Sequence, residues 1–159
     1  MTTVYEEKHV KNPGTYDDAD LILKLYDLRR EERMRSARKW VMSQPPFAKR
    51  EQFLAACPPG SEENASFRMV TSYWDMASSF IVAGILNGEL FFRSNNFELV
   101  LVWERVRRMV PETRETQKNP LYLKSLEEVA GQFIEFLRKN APGYYENVSA
   151  TLEKQIQAR

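Results

Sequence analysis

The sequence predicts an all-α fold, a single-domain bundle of five or six amphipathic helices. Three observations carry that prediction. Apolar residues recur at spacings of three and four through most of the 159-residue chain, as they do when one face of a helix is buried. Only six glycines occur, and the eight prolines fall almost entirely between the periodic segments, where they punctuate helices without breaking them. The hydrophobic fraction is 43% and the aromatic fraction 12%, which suits a packed core and not a disordered chain. A chain of this length fits one domain and buries roughly 68–70% of its unfolded surface without covalent staples.

Residues 1–16 read as a loose polar arm and residues 17–159 as the helical domain. The first helix is expected to start near Asp17. Asp17, Asp18 and Asp20 suit an N-terminal turn, where carboxylates accept from unpaired backbone N–H groups and meet the positive end of the helix dipole. Leu21, Leu25 and Leu28, then Ala37, Trp40 and Val41, carry it toward Pro45-Pro46. It must stop there, because the residue before a proline avoids the helical region. This predicts one helix of about 26 residues, roughly 39 Å long.

A short second helix is expected over Ala48 to Ala56, with Phe47, Phe53 and Leu54 inward and Cys57-Pro58-Pro59-Gly60 as its stop. Ser61 is a good N-cap for a third helix, and Glu62 and Glu63 favour its first turn. Two adjoining stripes run along that helix. One holds Phe67, Val70, Trp74, Ala77, Ile81 and Gly84; the other holds Met69, Tyr73, Met76, Phe80 and Ala83. A helix apolar on two neighbouring faces is covered on more than one side, so the third helix is predicted to be central. Asn87-Gly88 reads as its C-terminal stop.

Glu89 to Phe92 fit a short helical turn, and Asn95 with Glu98 resembles a capping box. Leu99, Val100, Trp103, Val106, Met109 and Val110 then define a fourth helix. Asn119-Pro120 is expected to open a fifth, with proline at its first position and Tyr122, Leu126, Val129, Phe133 and Leu137 inward. Past Asn140, Pro142 and Gly143, a sixth carries Tyr145, Val148, Leu152 and Ile156. That stripe is thin, so the end is expected to fray or dock.

The stretch from Asn96 to Leu137 runs through Trp103, Val110-Pro111-Glu112-Thr113-Arg114, Asn119-Pro120, Leu126-Glu127 and Phe133. Together with the opening from Ala19 to Glu31, it resembles a bacterial family of small helical proteins known only as a domain of unknown function. The resemblance spans most of the chain after residue 17. It implies an all-α fold and a bacterial cytoplasmic setting. It implies no activity, cofactor or catalytic residue.

Recognisable enzyme chemistry is thin. The chain has one histidine, His9, and one cysteine, Cys57. No glycine-rich phosphate loop and no spaced Cys/His set occurs. A di-iron bundle needs Glu-x-x-His pairs on facing helices, which a lone arm histidine beside Glu6 and Glu7 does not supply. A Ser-His-Asp or Cys-His pair is equally disfavoured. No catalytic set, cofactor or metal is expected. The single cysteine allows no internal disulfide and suits a reducing compartment. The longest apolar run, Phe80 to Leu86, is far short of the roughly 20 residues a membrane crossing needs. No membrane insertion is expected, and the expected location is cytoplasmic.

Six residues stand out as candidate ligand or anion contacts: Trp74, Asp75, Trp103, Arg105, Arg108 and Arg114. Asp75 on a central helix must find a partner if buried, and Arg105 or Arg108 is the expected one. Arg114 follows a proline turn and suits an anion or a helix end. Trp74 and Trp103 are expected to line a pocket between the third and fourth helices. The dense charge from Asp27 to Lys39 reads as a solvated face, with a phosphate-binding face as the alternative. Phe91-Phe92 and Tyr144-Tyr145 are expected to be exposed anchors for a protein interface. The net charge of +1 gives no general pull toward nucleic acid. The leading functional expectation is a non-enzymatic interaction or scaffold module that forms a homodimer or meets another protein. A nucleic-acid-associated regulator and a small-ligand binder are the alternatives.

Overall fold

A computed structural model describes residues 13–158, and these are helical with no strand among them. His9 and most of the expected arm lie outside the described residues. Nine helices follow in order: α1 (Tyr16–Arg30), α2 (Glu32–Ser43), α3 (Arg50–Ala56), α4 (Glu62–Val82), α5 (Gly88–Arg93), α6 (Glu98–Val106), α7 (Val110–Gln117), α8 (Lys124–Asn140) and α9 (Tyr144–Gln157). The all-α expectation holds. The helix count among the described residues exceeds the expected five or six, because two predicted long helices are broken and one short turn is a helix of its own.

The predicted first helix divides at Glu31, whose backbone is extended at φ −56° and ψ 140°. Helical phase explains the division. Leu25 and Met34 are both buried, yet nine residues of continuous helix would set them about 180° apart. A break lets both α1 and α2 turn their apolar residues inward. Glu31 also caps α2, its carboxylate accepting from the Met34 N–H at 3.0 Å. The start of α1 is a capping box between Thr15 and Asp18.

α4 is the centre, as its two stripes predict. It packs most extensively against α2 and α8. Phe67, Val70, Trp74 and Ala77 are all buried. Ser61 caps it as expected, accepting from the Asn64 N–H at 3.1 Å. Its end comes earlier than expected: the helix stops at Val82, Gly84 takes the left-handed φ of 74°, and Asn87 instead caps α5. Asn95 is not the expected cap of α6. It sits at φ 61°, and Glu98 turns away from it into the core.

The predicted fourth helix also divides, into α6 and α7, with Pro111 in the first turn of α7. α8 starts at Lys124 and not at Pro120, because Asn119–Leu123 forms a turn that ends with Leu123 at φ 50°. Phe91, expected to be exposed, is buried, and Phe92 stacks on Phe133 at 4.4 Å. Tyr144 is the exposed member of its pair, while Tyr145 donates to Glu104 at 2.7 Å. α9 buries only Leu152, consistent with its thin stripe. Among the described residues, no helix is long and apolar enough to cross a membrane.

Candidate functional site

The six residues singled out in the sequence do not converge. Trp74 has no exposed surface and Trp103 is 9% exposed, and neither lines the three surface clefts described below. Arg105 is buried and clasps the end of α2 and the loop that follows. It donates to the carbonyls of Met42 (3.0 Å) and Gln44 (2.9 Å), and to Leu101 of its own helix (2.9 Å). Arg108 pairs with Glu153 and so ties the α6–α7 connection to α9. Arg114 donates to the Tyr122 carbonyl at 2.9 Å and pairs with Glu127 at 2.8 Å.

Asp75 therefore has neither Arg105 nor Arg108 as its partner. Its carboxylate accepts from the Leu126 N–H at 2.9 Å. α8 begins at a left-handed Leu123 and has no side-chain cap of its own, so α4 caps it from across the core. Burial raises the Asp75 pKa above the ordinary value, opposed by the Leu126 and Ser125 N–H groups and the Arg114 charge. Asp75 also borders a cleft of about 650 Å³ between α4 and the α7–α8 turn. A second cleft, of about 810 Å³, lies between the start of α1 and the α4–α5 connection and is acidic through Asp17, Asp18 and Glu89.

The charged groups that do converge come from α1, α2 and α6, with polar aromatic side chains from α4. Arg38 binds Glu98 in a fork, Nε to Oε1 at 2.8 Å and Nη2 to Oε2 at 2.6 Å. The Trp74 indole N–H donates to the same carboxylate at 3.3 Å. Arg38 also reaches back to the Arg29 carbonyl at 3.2 Å, and Tyr73 donates to the Leu25 carbonyl at 2.7 Å. Arg29 lies beside this set and is only 5% exposed. Its guanidinium sits 5.2 Å from the Trp74 ring centroid and 5.3 Å from that of Tyr26. Its Nε is buried and donates to no group among the described residues.

Burial lowers the Arg29 pKa, but a guanidinium remains cationic. Stacking on an aromatic face contributes about 0.5–2 kcal/mol. The effective penalty for burying an ion is several kcal/mol. The rings therefore do not offset the burial of Arg29. Arg29 also lines a cleft of about 390 Å³ between α1 and α5, whose other walls include Ile22, Leu23, Tyr26 and Leu90. The sequence hid this feature because Arg29 sits inside a dense run of charge that reads as a solvated face. A helical wheel of α1 carries the signal, since Arg29 lies one turn past Leu25 on the buried side.

Among the described residues, no three His, Cys, Asp or Glu side chains gather as a metal cage would require. Cys57 is fully buried, and burial pushes its thiol pKa up to about 11, far from a reactive thiolate.

Residues 15–133 match the family model described as a domain of unknown function, DUF4760. The chain belongs to this family. No curated protein and no solved structure matches it. The DUF4760 match runs from the cap of α1 into α8, so Arg29, Arg38, Trp74 and Glu98 all lie inside it. α9 lies outside.

Proposed function

We propose that this DUF4760 protein is a non-enzymatic interaction module that associates with a second copy of itself through the outer face of α1. The supporting observation is the exposure of large apolar side chains on that face. Tyr16 is 96% exposed, Leu23 62% and Tyr26 46%, and their spacings of seven and three put them on one side of the helix. Exposed apolar side chains gathered on one face favour association. A rigid base supports this face: Asp18 accepts from the Asn87 N–H at 2.8 Å, and Tyr73 and Arg38 hold the other end. A cytoplasmic location goes with this reading, as does the single buried cysteine.

Native mass spectrometry of the full chain tests it. The expected species is twice the 18.7 kDa chain mass, and Tyr16→Glu with Leu23→Gln is expected to return it to one. A monomer at high micromolar concentration overturns the proposal. The nucleic-acid alternative has less support, because Arg29 is buried and Arg38 is bound to Glu98, which thins the basic face. The small-ligand alternative, expected at a pocket between the third and fourth predicted helices, finds support at a different place, the Arg29 cleft between α1 and α5.

A further inference from the structure

We propose that the cleft between α1 and α5 is a binding site for a small monocarboxylate with an apolar body, whose carboxylate pairs with Arg29. The first support is a charge count. Arg29 and Arg38 bring two positive charges to the cluster and Glu98 one negative charge. Both Glu98 oxygens are already engaged, by Arg38 and by the Trp74 indole. One positive charge is left over at a side chain that is 5% exposed, and its Nε donates to nothing among the described residues. One further carboxylate brings the cluster to neutrality. A dianion would overshoot it in an apolar setting.

The second support is the shape and chemistry of the space beside that charge. The cleft measures about 390 Å³, within the range of small-molecule sites. Arg29 is the one charged side chain among the described residues that line it. Ile22, Leu23 and Leu90 make the walls apolar, which suits a hydrocarbon or aromatic body. The planar fork of a guanidinium matches a carboxylate in two parallel hydrogen bonds. The exposed Asn95 amide stands at the lining as a further donor. This inference stands apart from the self-association reading. It depends on Arg29. Leu23 and Tyr26 belong both to this cleft and to the self-association face, so the titrations are run on Tyr16→Glu, which leaves the cleft lining intact, as well as on the parent chain.

Isothermal titration of the full chain with hexanoate and phenylacetate tests the site, with hexanamide and phenylacetamide as neutral controls. The acids are expected to bind, and the amides at least about tenfold more weakly, since they lack the charge that Arg29 requires. Arg29→Met is expected to abolish acid binding while the melting temperature of the unliganded protein stays level or rises. An apolar side chain then replaces an uncompensated buried charge. Asn95→Asp is a second variant at an exposed residue that tolerates the left-handed backbone. Its added negative charge is expected to weaken acid binding by about tenfold or more. Equal binding of acids and amides, no binding of either, or full binding by Arg29→Met overturns the proposal. So does a large loss of stability in Arg29→Met alongside unchanged acid binding in Asn95→Asp, because Arg29 is then only structural.

Discussion

Asp75 caps α8 from α4, and Asp18 ties the start of α1 to the start of α5. Both carboxylates accept backbone N–H groups, yet their pKa values move in opposite directions. The Asn87 and Thr15 N–H groups lower that of Asp18, whereas burial raises that of Asp75. The lowered Asp18 adds stability above the ordinary value of 3.8 and loses it as pH falls through its folded value. Asp75 does the reverse: its ionisation removes stability as pH rises from 3.8 through its raised value. Asp75→Ala is expected to cost about 1–2 kcal/mol in urea denaturation, as the loss of a helix cap does. Asp75→Asn keeps an acceptor and is expected to cost less. Relative to the parent, its stability is expected to rise between about pH 3 and pH 7, because the buried negative charge is gone. A relative fall over that range contradicts the assignment. The sequence singled out Asp75 and its need for a partner. It pointed to an arginine because it carried no sign that α8 would start uncapped beneath α4.

Among the elements, the most consequential departure is the break at Glu31. Continuous periodicity across a charged run reads as one helix, since nothing local forbids it. Phase decides otherwise, and the buried positions of α1 and α2 cannot share one continuous helix. Arg105 acts at the same scale. It holds two carbonyls from the end of α2 and the loop after it, and its own carbonyl accepts from the Phe47 N–H at 2.9 Å. The Pro45-Pro46 segment is thereby fixed over the core. Arg105→Met is expected to destabilise the protein by about 2 kcal/mol or more, because three partly buried carbonyls lose charge-assisted donors. Thermal or urea unfolding checks this, and a change under about 1 kcal/mol would show that the clasp is dispensable.

Across the whole molecule, α4 is the anchor and α9 the periphery. α4 buries Phe67, Val70, Thr71, Tyr73, Trp74, Ala77 and Ser78, while α9 buries only Leu152. α9 is otherwise held mainly by polar links, Arg108 to Glu153 and Tyr145 to Glu104, with Tyr144 against the Phe97 ring at 5.2 Å. Little apolar contact means a low free energy of local opening. Amide hydrogen exchange is therefore expected to be much faster in α9 than in the middle of α4. Protection in α9 equal to that of α4 would mean that the last helix unfolds only with the whole core.

The all-helical class, the central third helix, the Ser61 cap and the weak last stripe were all legible in the sequence by itself. Each rests on spacing within a few residues, and the chemistry of caps and periodicity is local. The tertiary structure alone decided which charges are buried and what they meet. Arg38 meets Glu98 across 60 residues, Asp75 meets Leu126 across 51, and Asp18 meets Asn87 across 69. Arg29 reads in the sequence as one more solvated arginine. Only the packing of α1 against α4 and α5 encloses it between two rings beside a carboxylate already taken. A charge in a run declares its sign but not its partner, and the partner depends on which distant helices close around it.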